Sequence, residues 1–181
     1  FRYNQYLESE EQTSGMFQFR DATVIMNQCV TEGNIGDEIW YAERTSLSID
    51  DCIFIHNDCQ GHGGVLNSKD SELTVTRSSF LYNLSHGTDG AIVMSDMRGV
   101  VIGGSENTGN EFIGNQATVG SSLKYNGFDS LIIDCRFNHF DKSAAAVNIH
   151  PVHKFNLDNC TFAESAIDRD VYVSPMGSNN N

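Results

Sequence analysis

The chain has 181 residues, with 24 acidic against 11 basic side chains and a formal net charge of −13. This length suits one domain with a sizeable core. The negative charge argues against nucleic acid or an anionic membrane as a partner, because phosphate binding needs basic patches. No stretch approaches the roughly 18 apolar residues of a membrane-spanning helix, so we expect no membrane span.

The dominant feature of the sequence is a phrase that recurs along most of the chain and reads apolar-x-apolar-x-x-Cys/Ser-x-Phe-x-x-Asn. Full copies span residues 47–57 and 73–83, and shorter copies begin at 24, 130 and 155. The position that is mostly Phe falls at residues 31, 54, 80, 112, 137 and 162, so the steps are 23, 26, 32, 25 and 25 residues. A period in this range is typical of stacked repeats.

Each copy of the phrase predicts short β-strands. Apolar and polar residues alternate, which indicates strands with one buried face. One extra residue interrupts the alternation and is expected at a bend between two strands; these residues are Gln28, Asp51, Arg77, Asp134 and Asn159. A third strand is predicted at 63–66, 90–93 and 121–123. Three strands per copy, stacked on the next copy, predict an all-β chain folded as a parallel β-helix solenoid of about six coils.

The repeat also divides the chain. We expect residues 1–13 to be an acidic N-terminal segment or cap, 14–174 to be the β-helix, and 175–181 to be a flexible C-terminal tail. The step from Phe80 to Phe112 exceeds the following steps by 32 − 25 = 7 residues, and the surplus lies in or near the Gly-rich segment 103–109. This segment is predicted to be a protruding loop.

Two short motifs carry a family resemblance. Phe-x-x-Asn occurs at 54–57, 80–83 and 112–115, while 63–66 reads Gly-Gly-Val-Leu and 89–92 reads Asp-Gly-Ala-Ile. These segments resemble the Phe-x-x-Asn and Gly-Gly-Ala-Ile motifs of polymorphic outer membrane proteins. More broadly, the chain resembles the pectin-lyase-like right-handed β-helix superfamily. The resemblance implies a right-handed β-helix at the cell surface or outside the cell, and it leaves the activity open because the superfamily hosts lyases, hydrolases and adhesins.

Asparagines at the end of successive copies are expected to stack into a ladder whose amides bond to one another and to the turn backbone; they are Asn34, Asn57, Asn83 and Asn115. Two glycosylation sequons are present, at Asn83-Leu84-Ser85 and at Asn159-Cys160-Thr161. A ladder asparagine points inward and cannot carry a glycan. Asn159 is therefore the favoured site, provided that the protein is secreted.

Four of the five cysteines occupy one position of the phrase; they are Cys29, Cys52, Cys135 and Cys160. The first two fall in adjacent copies, as do the last two, so each pair is within the separation that permits a disulfide. Stacked free thiols acting as small hydrophobes are the other interpretation, and the sequence leaves both open. Cys59 lies apart in a turn, either paired with Cys52 or free. No ligand spacing typical of zinc occurs, so we expect no metal site of that kind.

One segment is similar to a catalytic motif. Asp50-Asp51-Cys52 followed by Gly61-His62-Gly63 resembles the Asp-Asp and Gly-His-Gly motifs of polygalacturonases, whose carboxylates work as acid and base. Asp51 and His62 are less than half a copy apart, whereas site residues should lie in register on successive copies. We therefore predict no catalytic residues and no cofactor, with Asp-rich turns such as 168–170 as the one candidate for calcium.

The predicted function is a non-catalytic extracellular structural or adhesin-like protein, which self-associates or binds a surface or glycan partner. A fibre subunit fits this expectation, because a head-to-tail contact that does not close propagates. The alternative is a carbohydrate-active or glycan-binding protein of the pectin-lyase-like group. Such a protein needs exposed aromatic rings, and in the one adjacent aromatic pair, Trp40-Tyr41, one ring must point inward.

Overall fold

The computed structural model describes residues 2, 16–61, 64–87, 91–97, 99–103, 109–117, 120–127, 130–133, 135–138, 145–151, 155–163 and 171–173. Within these residues the secondary structure is β-strand, with no helix. The strands are β1 (Phe17–Arg20), β2 (Thr23–Asn27), β3 (Val30–Glu32), β4 (Ile35–Gly36), β5 (Trp40–Glu43), β6 (Ser46–Asp50), β7 (Ile53–Ile55), β8 (Asp58–Cys59), β9 (Leu66–Lys69), β10 (Glu72–Thr76), β11 (Ser79–Leu81), β12 (Leu84–Ser85), β13 (Ile92–Met97), β14 (Gly99–Ile102), β15 (Glu111–Ile113), β16 (Gly120–Gly127), β17 (Ser130–Ile133), β18 (Arg136–Asn138), β19 (Ala145–Pro151), β20 (Phe155–Asp158), β21 (Thr161–Ala163) and β22 (Val171–Val173).

The strands form four parallel sheets. The first sheet has the order β1-β5-β9-β13-β16-β19-β22, the second β2-β6-β10-β14-β17-β20, the third β21-β18-β15-β11-β7-β3 and the fourth β12-β8-β4. Every strand pairing in the described part of the chain is parallel. Sheet neighbours are separated along the chain by strands of the other sheets, so the chain returns to each sheet once per repeat. The prediction of an all-β chain with parallel strands is confirmed.

Equivalent residues of successive repeats pair with each other. In the second sheet Leu47 is opposite Leu73 and Ile49 is opposite Val75, while in the third sheet Phe80 lies between its two counterparts. These side chains are buried and belong to one continuous core. Because a slip of one residue would turn the apolar side chains to the solvent, burial sets the register.

The predicted bend residues have a left-handed backbone. Gln28, Asp51, Arg77 and Asn159 have φ angles of 53°, 52°, 49° and 46°. The bend prediction is confirmed at these four positions, and Asp134 lies outside the described residues. A residue in this region turns the chain sharply. Inward-facing residues are therefore three positions apart across the bend, as Ile49 and Cys52 are, instead of two as along a strand.

Two further columns of bends have a left-handed backbone. One lies in the turns predicted at the asparagines and consists of Gly33, His56, Tyr82 and Gly114; the other, which was not predicted, follows the first sheet and consists of Asp21, Arg44 and Asp70. The two-residue strands of the fourth sheet were also missed, because their pairs are too short to show a period. The segments between consecutive asparagines, 34–57 and 57–83, therefore contain four strands each, instead of the three predicted.

Several predicted segments lie outside the described residues. They are most of the N-terminal segment 1–13, the loop centre at 104–108, the Asp-rich turn 168–170 and the tail 175–181. Within the N-terminal segment, Arg2 forms a parallel bridge with Glu32 and an ion pair with it at 3.1 Å. This contact places Arg2 beside β3, the end strand of the third sheet.

Candidate functional site

The asparagines predicted to stack form a continuous chain of hydrogen bonds. Nδ2 of Asn34 donates to Oδ1 of Asn57 at 2.9 Å, and Nδ2 of Asn57 donates to Oδ1 of Asn83 at 2.9 Å. Asn83 continues to Oδ1 of Asn115 at 3.0 Å. All four side chains are buried, so their amides must be satisfied within the protein.

The amides of Asn57, Asn83 and Asn115 also bond to the main chain. Oδ1 of Asn83 accepts the backbone N–H of Asn57 at 3.0 Å, and Nδ2 of Asn83 donates to the carbonyl oxygen of Phe54 at 3.0 Å. This placement leaves no room for a glycan on Asn83, whose side chain is 3% exposed. Asn159, the other sequon residue, is exposed at a bend. Of the two sequons, only Asn159 lies at the surface.

The cysteine position forms a second column, which precedes the strands of the third sheet, whereas the asparagines follow them. Its members, in sheet order, are Cys29, Cys52, Ser78, Asn110, Cys135 and Cys160. The backbone N–H of Cys29 donates to Sγ of Cys52 at 3.4 Å, and that of Cys52 donates to Oγ of Ser78 at 3.1 Å. The backbone N–H of Ser78 in turn donates to Oδ1 of Asn110 at 2.8 Å. The side chain of one repeat thus caps the bend of its neighbour. Asn110 was not recognised from the sequence, because it replaces Cys or Ser.

None of the five cysteines forms a disulfide in the structure. Cys52 and Cys135 are buried, whereas Cys29 and Cys160 are partly buried. Cys59 is fully buried and lies in the fourth sheet, where its neighbours in register are Gly36 and Ser85. It therefore belongs to a different column from the other four thiols. Burial raises the pKa of the Cys59 thiol, so Cys59 is a poor nucleophile.

The carboxylates of the catalytic-like motif are engaged in bonds between repeats. Oδ1 of Asp50 accepts from Oγ1 of Thr76 at 2.7 Å, and Oδ2 of Asp50 forms an ion pair with Arg77. These bonds, with that of Thr76 first, hold the pKa of Asp50 below its usual value. Asp51 accepts from Nε2 of Gln28 at 3.1 Å. An ionised, hydrogen-bonded carboxylate is unsuited to general acid catalysis, and His62 lies outside the described residues.

A surface groove of about 470 Å³ runs along the bend between the first and second sheets, from Asp21 to Glu72. Its one cation, Arg44, is bound by two acids: Nε and Nη2 contact Asp21 at 2.7 and 2.9 Å, and Nη1 contacts Glu43 at 2.7 Å. The hydrogen bond from Arg44 lowers the pKa of Asp21. The guanidinium of Arg44 is thus already bound by acids of the protein and is not available to a ligand in the groove.

An exposed aromatic pair lies beside the asparagine ladder. The rings of His56 and Tyr82 stack with centroids 5.6 Å apart, and Tyr82 is 50% exposed. A Cβ at Gly114, in the following repeat, would lie 2.4 Å from Cδ1 and 2.6 Å from Cε1 of Tyr82, so the tyrosine ring packs against that glycine. Neighbouring repeats therefore contact the Tyr82 ring from two sides, through His56 and Gly114, while half of the residue remains open to the solvent.

The comparisons with known proteins add no identity to this geometry. No family model, no curated protein and no solved structure matches the chain. In the described part of the chain, no helix is long and apolar enough to cross a membrane. Among those same residues, no three His, Cys, Asp or Glu side chains are grouped as a metal site would require.

Proposed function

We propose that the chain is a right-handed parallel β-helix of about six coils that serves as a non-catalytic structural or adhesin-like protein outside the cell, as a subunit of a surface fibre. The observation that carries this proposal is the use of polar side chains in the repeat. Asparagines, cysteines and corner carboxylates bond to the neighbouring repeat. These side chains hold the coils together, and no described group of them faces a common ligand position.

The fibre role is supported by the first repeat. Core-facing Val24 of β2 is only partly buried, whereas its counterparts Leu47 and Leu73 are buried. A second copy stacked on the edge of β2 would cover Val24 and extend the second sheet, and at β3 it would displace Arg2, whose bridge with Glu32 occupies that edge. Such a contact is head-to-tail, so it propagates into a filament instead of closing into a dimer.

Electron microscopy and sedimentation velocity over a range of concentrations test the fibre. We expect unbranched fibres as wide as one molecule. Val24→Lys places a charge at the core-facing end and should abolish the fibres, while Ile25→Lys is the matched control on the opposite face of the same strand, where Ile25 is 76% exposed. Dispersed monomers of the folded wild-type protein at every concentration would refute the fibre.

The alternative, an enzyme or binding protein for polysaccharides, is tested separately. We expect no cleavage of pectic polysaccharides and no retention on a glycan array. The hydrogen-bonded state of Asp50 and Asp51 supports the first expectation, and the packing of Tyr82 between His56 and Gly114 supports the second. Cleavage that Asp51→Asn abolishes would contradict the non-catalytic proposal, and glycan binding that Tyr82→Ala abolishes would replace the fibre with a lectin-like role.

A further inference from the structure

The thiols of the cysteine column fall into two neighbouring pairs. Cys29 lies next to Cys52, and Cys135 lies next to Cys160, while Ser78 and Asn110 occupy the positions between the pairs. Each pair therefore lies in the two outermost described copies of the phrase at one end of the column. The middle of the column has no sulfur.

Strand register brings the sulfurs of the first pair together. The residues on either side are aligned, since Asn27 pairs with Asp50 and Val30 pairs with Ile53. Aligned parallel neighbours are about 4.8 Å apart, which is inside the Cα separation of disulfides. Sγ of Cys52 lies 3.4 Å from the backbone nitrogen of Cys29. The two side chains thus point to the same side of the bend.

The second pair has the same strand register. Ile133 pairs with Asp158 and Arg136 pairs with Thr161, so the cysteines between them are also aligned. The backbone N–H of Thr161 donates to the carbonyl oxygen of Cys135 at 2.9 Å. Sγ of Cys160 donates to the carbonyl oxygen of Asp158 at 3.2 Å, whereas Sγ of Cys135 donates to that of Ile102, in the preceding repeat, at 3.5 Å. The side-chain bond with Cys160, together with burial, raises the pKa of Cys135.

Access to solvent differs within each pair. Cys29 and Cys160 are partly buried and can meet a soluble oxidant, whereas Cys52 and Cys135 are buried. This is the arrangement of an attacking thiol with a resolving thiol behind it. Cys59, fully buried and in another column, has neither access nor an aligned sulfur.

We propose that the column is a redox site that forms two disulfides, Cys29–Cys52 and Cys135–Cys160, under oxidising conditions. The oxidant is a small disulfide such as glutathione disulfide. The thiolate of Cys29 or Cys160 attacks it, forms a mixed disulfide and releases one glutathione thiolate. The buried partner then loses its proton and attacks the protein sulfur of the mixed disulfide, releasing the second glutathione. Two protein thiols lose two electrons and two protons, and one glutathione disulfide becomes two glutathiones.

The two disulfides would link the outermost described repeats covalently to their neighbours. Cys160 and Phe162 at one end, and Val24 and Cys29 at the other, are only partly buried although they pack on the core, so these repeats are the least protected. Each disulfide closes a loop of one repeat, 52 − 29 = 23 or 160 − 135 = 25 residues, and reduces the entropy of the unfolded chain. The inference holds whether or not the protein forms fibres.

Peptide mapping of the full chain tests the pairing. The protein is equilibrated with glutathione disulfide, alkylated and digested with trypsin without reduction. We expect peptide 21–44 linked to 45–69 and peptide 125–136 linked to 155–169, with one alkylated thiol left at Cys59. Because Cys52 and Cys59 share a peptide, Cys59→Ser is the matched control and should leave both links intact.

The same samples give a second readout. Oxidation should raise Tm by roughly 5–10 °C per disulfide, and Cys29→Ser or Cys160→Ser should each remove one link and its share of the rise. Five titratable thiols after equilibration would overturn the proposal. A Cys52–Cys59 link, or glutathione left on Cys29 and Cys160 without an internal link, would overturn it equally.

Discussion

The rings of Phe54 and Phe80 stack with their centroids 4.5 Å apart and their planes 2° from parallel, although they belong to different repeats. Phe80 stacks in the same way on Phe112, at 5.1 Å and 8°. The three rings are fully buried and form one apolar column between the sheets. A side chain in the middle of this column contacts both neighbouring repeats, so its loss should be felt in both.

Phe80→Ala should therefore lower the free energy of unfolding by about 3–5 kcal/mol, because it removes a buried ring and leaves a cavity between two others. Urea denaturation followed by circular dichroism measures the change. Leu81→Ala is the matched control, since Leu81 is the next residue on the same strand, faces outward and is only partly buried. An equal loss in the two variants would mean that the column does not dominate stability.

Thr31 occupies the Phe position in the first repeat and pairs in register with Phe54. Its side chain is fully buried, and its hydroxyl oxygen has no hydrogen-bond partner. Thr31→Val keeps the shape and removes the unsatisfied hydroxyl, so it should stabilise the protein by about 1 kcal/mol. Thermal unfolding gives the sign of the change, and Thr23→Val at an exposed position of β2 should have little effect. Destabilisation by Thr31→Val would show that the hydroxyl has a partner.

Asn83 is in the interior of the asparagine ladder and accepts both the backbone and the side-chain N–H of Asn57. Asn83→Ala leaves these two buried donors unsatisfied, so we expect a loss of about 2–4 kcal/mol. Denaturation midpoints measure this loss of stability, and Asn159→Ala at the exposed sequon is the control.

Glycopeptide mapping of secreted protein should find a glycan on Asn159 and none on Asn83; a glycan on Asn83 in folded protein would contradict the ladder.

Gly114 has φ = 64° and lies under the ring of Tyr82. Gly114→Ala should cost about 2 kcal/mol or more, because alanine is strained at this φ and its Cβ collides with the ring. In a Tyr82→Ala background the collision disappears, and the cost should fall to about 1 kcal/mol. Gly99→Ala, where an added Cβ meets nothing within 4 Å, should be nearly neutral. Equal costs of Gly114→Ala in both backgrounds would exclude the contact with Tyr82.

The corner carboxylates predict an acid-sensitive fold. The pKa of Asp50 is lowered by Thr76 and Arg77, and that of Asp21 by Arg44. A carboxyl group whose pKa is lowered on folding stabilises the protein above its unfolded pKa, near 3.9, and this contribution is lost as the pH falls through the folded value. Urea midpoints should therefore fall below about pH 4, and Asp50→Asn should flatten the fall. If the urea midpoints of Asp50→Asn followed the same pH dependence as those of the wild type, Asp50 would not contribute to the acid sensitivity.

Much of the fold could be predicted from local patterns. The alternation around Leu47 and Phe54 specifies which side chains face inward, and the spacing of the copies specifies which repeats meet. Gln28, Asp51 and Arg77 were recognised as bends because each breaks the alternation. These features depend on burial, which leaves a periodic trace in the sequence.

The remaining features depend on contacts that have no period. His56 and Tyr82 are unusual residues for a left-handed bend, and only the closure of each repeat onto its sheets requires that conformation. The amide of Asn110 continues the cysteine column by geometry, although its residue type differs.

The amino-acid sequence by itself determined the repeat, the burial of its apolar positions and the alignment of asparagines and cysteines, because these follow from side-chain alternation along the chain. Only the tertiary structure decided the contacts across repeats. It placed Cys52 against Cys29, bound Asp50 to Arg77 and packed Tyr82 against Gly114. The physical reason is that a hydrogen bond or sulfur contact is decided by a few tenths of an ångström between strands, and residue spacing does not report distances on that scale.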